Sequence, residues 1–256
     1  MIEIHIDAGE NQKLYFASDF HLGAPDLKAS RPREEKVVRW LDSIQKDAAA
    51  IFLLGDVFDF WYEYKRVIPK GFARFQGKLA ELTDSGIPVI LFSGNHDMWM
   101  KDYLSDELGV SIYHEPVKLY IDGTKLLIGH GDGLGPGDRK YKLLKKLFKN
   151  PFARWCFTQL HPNLALKLAH SWSRSSRISS SEYDEESFGE KEFLYQYCVE
   201  MEKQDHFDYY IFGHRHIHLD MKVGFNSRYV NLGEWVNNSR YGMLSHGQLE
   251  LIDFEV

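Results

Sequence analysis

The amino-acid sequence predicts an α/β protein built in layers around a mixed β-sheet, with a helical segment inserted in its second half. Two patterns predict the layers: strands and helices alternate in the first half of the chain, and strand-rich sequence fills the region from Met221 to the C-terminus. A third pattern predicts the insertion. No acidic residue occurs between Asp138 and Glu182, whereas basic and apolar residues are interleaved throughout that segment.

The composition predicts a single soluble domain, residues 1–256. A chain of 256 residues that is 44% hydrophobic is long enough to bury a substantial core. Its net charge of −6 provides no general attraction to nucleic acid, so we expect no nucleic-acid partner. Cys156 and Cys198 lie far apart and are expected to be free thiols in the reducing cytoplasm. The N-terminus does not resemble a signal peptide, and no apolar run reaches the roughly 18 residues that span a bilayer.

The strands and helices of the layers are predicted from hydrophobic periodicity. The first residues, MIEIHIDAGE, alternate as a strand does. Helical spacing of apolar residues predicts helices at 33–46 and 72–84. Short apolar runs, the second of them typical of a buried central strand, predict strands at residues 13–20, 50–54, 89–92, 125–129 and 209–212.

The acid-free segment is predicted to be a helical cap, residues 139–185, inserted within the single domain. Pro151 and Pro162 are expected to divide it into two or three short helices. Two interpretations of its composition remain open. Its apolar residues could shelter a lipid while its basic residues hold phosphate groups or contact an anionic membrane surface. Alternatively, the apolar residues could pack on the core while the lysines face solvent.

Five short polar motifs each begin where a predicted strand ends. Ligands collect at the carboxyl ends of strands in layered α/β proteins, so we expect the five motifs to form one site. Any one of them alone is compatible with an ordinary turn, but their combination in this order is not. They are DFH from Asp19, GDVFD from Gly55, GNHD from Gly94, GHGD from Gly129 and GHRH from Gly213.

The motifs contain a complete set of ligands for two divalent cations. Asp56 is expected to bridge the cations through its two oxygens. Oxygen and nitrogen ligands without a thiolate suit Mn²⁺, Fe²⁺ or Zn²⁺ and disfavour Ca²⁺. Two such ions activate water and clamp the oxygens of an in-line displacement, which predicts a phosphoester hydrolase. The predicted ligands are Asp19, His21, Asp56, Asn95, His130, His214 and His216.

Three further residues of the motifs are expected to assist. His96 is predicted to face the substrate as a catalytic residue. Asp97 is predicted to hold the tautomer of the His96 imidazole and to raise its basicity. Asp59 is predicted to orient a ligating histidine.

The ordered motif set, which extends from Asp19 to His216, resembles the calcineurin-like metallophosphoesterase superfamily. The resemblance implies a β-sandwich flanked by helices, four layers in the order αββα, with a dimetal site at one edge. It implies that His96 contacts the phosphoryl group and protonates the leaving oxygen. It also implies the division of ligands: Asp19, His21, Asp56 and His216 for one cation, and Asp56, Asn95, His130 and His214 for the other.

Trp61 stands five residues after Asp56, Asp138 and Tyr141 follow His130, and the sequence LGEW occurs at Leu232–Trp235. In these features the chain most resembles, within that superfamily, the UDP-2,3-diacylglucosamine hydrolases of the lipid A pathway. That resemblance implies cleavage of a pyrophosphate, usually with Mn²⁺, to give UMP and 2,3-diacylglucosamine 1-phosphate. It also implies a lid over the acyl chains and peripheral contact with the cytoplasmic face of the inner membrane. The substrate contacts it implies are Trp61, Asp138, Tyr141, Ser176 and Arg177.

One residue departs from the pattern of that subfamily. His96 stands where its best-known members have arginine, so the motif is the GNHD of the broader superfamily. Two other interpretations therefore stay open: a metallophosphoesterase with a soluble phosphodiester or phosphomonoester substrate, and a metal-binding scaffold without catalysis. The sequence does not determine the oligomeric state.

Overall fold

The structure, a computed structural model, describes residues 1–137, 139–169, 171 and 187–255. Its strands are β1 (Glu3–Ile6), β2 (Lys13–Ala17), β3 (Ala48–Leu53), β4 (Val89–Phe92), β5 (Ser111–Tyr113), β6 (Val117–Ile121), β7 (Thr124–Ile128), β8 (Tyr209–Phe212), β9 (His218–Val223), β10 (Ser227–Leu232), β11 (Arg240–Ser245) and β12 (Gln248–Asp253). Its helices are α1 (Arg31–Ile44), α2 (Ala73–Asp84), α3 (Tyr103–Leu108), α4 (Arg139–Lys149), α5 (Pro151–Thr158), α6 (residues 162–169) and α7 (Phe193–Glu202). A 3₁₀ turn at Gly189–Lys191 precedes α7. Across the described ranges, none of the helices has both the length and the apolar character needed to cross a bilayer.

Two mixed sheets of six strands pack face to face. The first has the strand order β1-β6-β7-β8-β10-β9, and the second has the order β12-β11-β2-β3-β4-β5. Alternate side chains of β2 show how the layers form: Leu14 and Phe16 face the core between the sheets, whereas Tyr15 and Ala17 face the helices. Helices α1, α2 and α3 cover the second sheet, and α7 covers the first. The predicted fold class, a helix-flanked β-sandwich with αββα layers, is confirmed.

The strand directions bring the carboxyl ends of five strands together. Strands β2, β3 and β4 run parallel in the second sheet, and β7 and β8 run parallel in the first. Each of the five polar motifs follows one of these strands. The motifs therefore lie at one edge of the sandwich, where the two sheets meet.

Helices α4, α5 and α6 form the described part of the predicted cap, and their inner side packs on an aromatic cluster. Phe60, Tyr62 and Trp99 form the part of this cluster that belongs to the sandwich. Phe148 and Phe157 of the cap pack against them, and the Trp99 indole Nε1 donates to the Phe148 carbonyl at 3.0 Å. The cap is thus held by apolar contact together with a directed hydrogen bond.

The outer side of the same three helices is apolar and exposed. Each helix carries a pair of large apolar residues at helical spacing, and the Phe152 and Trp155 rings of α5 stack on each other. These two side chains are 71% and 59% exposed. The six exposed residues are Leu143, Leu147, Phe152, Trp155, Leu164 and Leu168. Packing on the core therefore explains why the residues on the inner side of the cap are apolar. It does not explain why the exposed residues on the outer side are apolar.

The start of α2 is capped by a residue of α1. Phe72 precedes α2 in the left-handed conformation and has no side-chain group that could accept a hydrogen bond. Glu34, which is 2% exposed, instead accepts the backbone N–H groups of Arg74 at 3.1 Å and Phe75 at 3.3 Å. Its negative charge also interacts favourably with the helix dipole. Glu34 thus joins two helices of the layer that covers the second sheet.

We expect Glu34→Ala to lower the free energy of unfolding by about 1–3 kcal/mol, because two backbone N–H groups in the first turn of α2, one of them buried, lose their acceptor. Glu34→Gln keeps one acceptor oxygen and should lose less. Glu35→Ala is the matched control, since Glu35 is half-exposed and makes only a 3.9 Å contact with Arg74. Urea titration of the three variants measures the difference. An equal loss from Glu34→Ala and Glu35→Ala would contradict the capping role.

Candidate metal centre

The predicted ligands stand on unusual backbone conformations. Eight non-glycine residues within the described ranges have positive φ angles, and five of these are predicted ligands. Such conformations cost free energy for residues with a Cβ and persist where the surrounding structure imposes them. The ligand loops are therefore held in place by their surroundings. The five are Asp19 (φ 55°), His21 (φ 44°), Asp56 (φ 49°), His214 (φ 72°) and His216 (φ 54°).

One group of side chains gathers around Asp19 and His21. Ligand atoms of Asp19, His21, Asp56 and His216 all lie within 4.8 Å of one another. The two imidazoles turn the same atom inward, with His21 Nε2 lying 3.1 Å from His216 Nε2. Asp19 Oδ1 lies 3.3 Å from His216 Nε2. This group is the set that the family resemblance assigned to one cation.

A second group forms around Asn95. Its Oδ1 atom lies 3.2 Å from His130 Nε2 and 2.9 Å from His214 Nδ1. His130 Nε2 also lies 3.4 Å from Asp56 Oδ2. His130 Nδ1 contacts the Leu54 carbonyl at 2.8 Å, which makes Nδ1 the protonated atom and directs Nε2 into the group. Asp56 is thus common to both groups.

The buried carboxylates provide a test of whether cations fit this site. In each carboxylate one oxygen is satisfied: Asp19 Oδ2 accepts the His214 N–H at 3.0 Å, and Asp56 Oδ1 accepts the His96 N–H at 2.8 Å. The other oxygens, Asp19 Oδ1 and Asp56 Oδ2, are buried and have no hydrogen-bond donor among the described residues. A buried carboxylate oxygen without a donor is costly unless a cation contacts it. Both oxygens face the ligating imidazoles, so the residues fit a pair of divalent cations.

The electrostatics of the protein groups agree with this assignment. Burial favours the neutral form of Asp56, but the imidazoles of His130 and His96 hold its pKa well below the usual range. Burial likewise opposes the charging of His130, but the Asp56 carboxylate raises its pKa to about 10. Burial and the neighbouring His130 lower the pKa of His214 to about 4. Asp56 is therefore ionised and available as a ligand, and positive charge is stabilised beside it.

His96 lies beside the first group, but the partner of its ring differs from the prediction. His96 Nδ1 lies 3.0 Å from the Asp59 carbonyl oxygen and 3.8 Å from the Asp59 carboxylate. Asp97 instead accepts backbone N–H groups of Val57 at 2.8 Å and Gly94 at 2.7 Å. Asp97 therefore holds the loops that carry Asp56 and Asn95, and Asp59 orients the imidazole. Burial and the charge of Asp56 raise the pKa of Asp97 to about 7.

The structure places the five predicted substrate contacts in different environments or does not describe them. Trp61 is fully buried, stacks on Phe58 and donates its indole N–H to Glu63 at 2.9 Å, so the structure corrects its assignment as a substrate contact. It belongs to the hydrophobic core that also contains Phe58, Phe72 and Phe75. Tyr141 lies at the edge of the site, its ring 6.2 Å from that of His214 and its hydroxyl bonded to Asp132. Asp138, Ser176 and Arg177 lie outside the described residues.

A pocket beside His96 contains residues that the sequence did not single out. It opens to solvent and is lined by Phe60, Met98, Trp99 and Phe148 next to Asn95 and His96. Phe60 directly follows the GDVFD motif and Trp99 comes two residues after GNHD. An aromatic residue within two positions after each of these two motifs was the signal that could have identified them. The site therefore combines cation ligands with an apolar wall.

Comparison with known proteins decides the family. Residues 12–218 match the calcineurin-like phosphoesterase family.

The chain belongs to the calcineurin-like phosphoesterase family.

Three relatives of this phosphoesterase align with 86% or more of its residues. It is 36% identical to the UDP-2,3-diacylglucosamine hydrolase of Porphyromonas gingivalis, with 95% of this chain and 98% of that protein covered. It is 28% identical to the protein of that name from Vibrio parahaemolyticus, over 86% of this chain and 89% of the relative. The identity with the Shewanella piezotolerans protein of that name is 25%, over 93% of this chain and 96% of the relative. The protein is therefore a metal-dependent hydrolase of the phosphoesterase family, with a candidate dimetal site.

Gly94 allows the GNHD loop of this phosphoesterase to approach Asp56. A Cβ atom at Gly94 would lie 2.2 Å from Asp56 Oδ1 and 2.7 Å from the Asp56 backbone nitrogen. We expect Gly94→Ala to displace the Asp56 carboxylate and to lower phosphodiesterase activity roughly 100-fold or more, as small displacements in catalytic sites do. Hydrolysis of an aryl phosphodiester and the bound metal content measure the effect.

Gly77→Ala is the matched control. Gly77 lies within α2, and a Cβ atom there meets no atom within 4 Å. This variant should keep its activity and gain about 0.5–1 kcal/mol in free energy of unfolding. Retained activity in Gly94→Ala would show that the approach of Gly94 to Asp56 is not required.

Proposed function

We propose that the protein hydrolyses the pyrophosphate of UDP-2,3-diacylglucosamine, giving UMP and 2,3-diacylglucosamine 1-phosphate, with two Mn²⁺ ions as cofactors. The observation that carries the proposal is the apolar pocket directly beside Asn95 and His96. A soluble phosphodiester needs only the cation ligands, whereas a diacylated substrate also needs an apolar surface next to them. The full-length similarity to hydrolases named for this substrate supports the same conclusion.

The proposed ligands divide as the family pattern divides them. Asp19, His21, Asp56 and His216 hold one cation, and Asp56, Asn95, His130 and His214 hold the other. The sequence suggested a bridge through both oxygens of Asp56. Oδ1 accepts the His96 N–H, and Oδ2, which has no hydrogen-bond donor among the described residues, would be the oxygen that faces the cations. Bound cations supply Lewis acidity, which activates water and stabilises charge on the phosphoryl oxygens.

His96 is proposed to hold the proton that the leaving phosphate oxygen takes. The Asp59 carbonyl oxygen can only accept a hydrogen bond, so His96 Nδ1 carries hydrogen and Nε2 is the atom that exchanges a proton. The Asp59 carboxylate at 3.8 Å favours this orientation of the ring. Phe60, Trp99 and Phe148 form an apolar wall next to His96.

The outer side of the cap is proposed to contact the cytoplasmic face of the inner membrane. Exposed apolar pairs on α4, α5 and α6 alternate with lysine and arginine, and the segment from Arg139 to Ser181 contains no acidic residue. Amphipathic helices of this composition bind anionic lipid surfaces through apolar burial and charge together. Such contact would place the pocket next to the source of its lipid substrate. The free thiols of Cys156 and Cys198 are compatible with the reducing cytoplasmic side.

Turnover of UDP-2,3-diacylglucosamine tests the proposed reaction. We expect UMP release with a kcat/KM far above that for an aryl phosphodiester. Asp56→Asn should abolish release and weaken Mn²⁺ binding by at least ~100-fold, because the bridging charge is lost. His96→Ala should lower kcat by roughly 10²–10⁴-fold while both cations stay bound.

The two variants separate the roles of ligand and proton donor. Loss of metal from His96→Ala would show that His96 is a ligand. An aryl phosphodiester hydrolysed better than the diacylated nucleotide would favour the soluble-substrate alternative. Binding of metal without hydrolysis of either compound would favour the non-catalytic scaffold.

Membrane contact is tested by sedimentation with vesicles. The double variant Phe152→Ala, Trp155→Ala should lose most binding to vesicles of anionic lipid, because it removes the stacked aromatic pair of α5. Phe225→Ala is the matched control. Phe225 is 97% exposed but lies in the turn between β9 and β10, outside the cap helices. Equal binding of both variants would show that exposed aromatic residues on the cap have no special role.

A further inference from the structure

The two segments that join the cap to the sandwich contact each other next to the metal ligands. The outgoing segment, residues 131–137, starts directly after His130, and the return segment, residues 187–193, leads into α7. A Cβ atom at Gly135 would lie 2.1 Å from the Phe193 carbonyl oxygen, so the two backbones touch where only glycine fits. The two segments are therefore in direct backbone contact.

The return segment is tied to a ligand loop by a buried ion pair. Arg215 donates from Nε to Glu192 Oε2 at 2.8 Å and from Nη2 to Glu192 Oε1 at 3.1 Å. The side chains of Glu192 and Arg215 are 2% and 12% exposed. The Phe188 N–H also donates to Glu192 Oε1 at 3.0 Å, and the Arg215 guanidinium lies over the Phe188 ring. Two residues of the return segment, Phe188 and Glu192, therefore contact the Arg215 side chain.

Arg215 stands between two ligands that belong to different cations. His214 and His216 flank it, and both have left-handed backbones, with φ angles of 72° and 54°. One hydrogen bond already holds the backbone of this loop: the His214 N–H donates to Asp19 Oδ2 at 3.0 Å. An unfavourable backbone conformation persists only where its surroundings impose it. The left-handed backbones of His214 and His216 therefore require a contact that also holds Arg215 in place. The two-point contact with Glu192 supplies it.

We propose that Glu192 and Arg215 are positioning residues, which hold His214 and His216 in ligating geometry and fasten the return segment of the cap to the metal centre. The inference rests on the proposed assignment of the metal ligands. A buried ion pair contributes little net stability, because removing both charges from water offsets their attraction. A pair with two parallel hydrogen bonds does fix geometry, and fixed geometry is what the flanking ligands need.

The variants Glu192→Gln and Arg215→Lys test the proposal in the full-length protein. Glutamine removes the charge, and lysine keeps the charge but loses the planar two-point contact. Calorimetric titration with Mn²⁺ should show affinity lowered by ~10–100-fold in both variants, the range typical for residues that orient ligands. Turnover should return to near the wild-type kcat at saturating Mn²⁺ with unchanged KM, which a general loss of stability would not produce. If Glu192→Gln does not fold, Arg215→Lys decides the question.

Asp220→Asn is the matched control. Asp220 and Arg228 form an ion pair of the same two-point geometry between β9 and β10, but both side chains are more than a third exposed. This variant should bind Mn²⁺ as the wild type does. Wild-type Mn²⁺ affinity in both test variants, or a raised KM with unchanged affinity, would overturn the proposal. Wild-type protein that binds Mn²⁺ but does not release UMP would contradict the proposed substrate alone.

Discussion

The site depends on one buried carboxylate at the junction of the two sheets. Asp56 follows β3 of the second sheet, and its Oδ2 atom lies 3.4 Å from His130 Nε2, which follows β7 of the first. An ionised carboxylate without exposure to water is unfavourable unless positive charge surrounds it. The histidines that supply this positive charge follow strands of both sheets. The site therefore forms only when the two sheets pack together. Each sheet alone would carry an incomplete site.

The demand for positive charge around Asp56 explains why the surrounding backbone is strained. Parallel strands β2 and β3 deliver Asp19 and Asp56 to one edge, and only tight turns bring both carboxylates inward. The turns are stabilised by side chains that do no ligation. Asp97 accepts N–H groups from the loops of Asp56 and Asn95, and Arg33 donates to the carbonyl oxygens of His21 and Ala24. The cost of the left-handed residues is thus offset by hydrogen bonds one layer away from the ligands.

Much of this architecture is readable from sequence, because apolar periodicity and strand-ending polar motifs are local. The helix predicted at 72–84 is α2, and the strands predicted at 89–92 and 209–212 are β4 and β8. The predicted strand at 13–20 ends at Ala17, since Asp19 turns to a positive φ. Short elements such as β5 and α3 carry too few residues to show a period. The pairing of His96 with Asp59, and the burial of Trp61 against Phe58, depend on tertiary contacts that spacing along the chain does not encode.

The cap shows how one insertion meets two opposing requirements. Its inner aromatic side packs Phe148 and Phe157 against the aromatic cluster of the sandwich, and Phe148 also lines the apolar wall beside His96. Its outer side keeps apolar residues exposed, which a stable soluble protein would ordinarily bury. Burying the outer side on the core would require the helices to rotate, and rotation would remove Phe148 from Trp99 and break the hydrogen bond between them. The contact between Phe148 and Trp99 therefore fixes which side of the cap faces the sandwich and which side stays exposed.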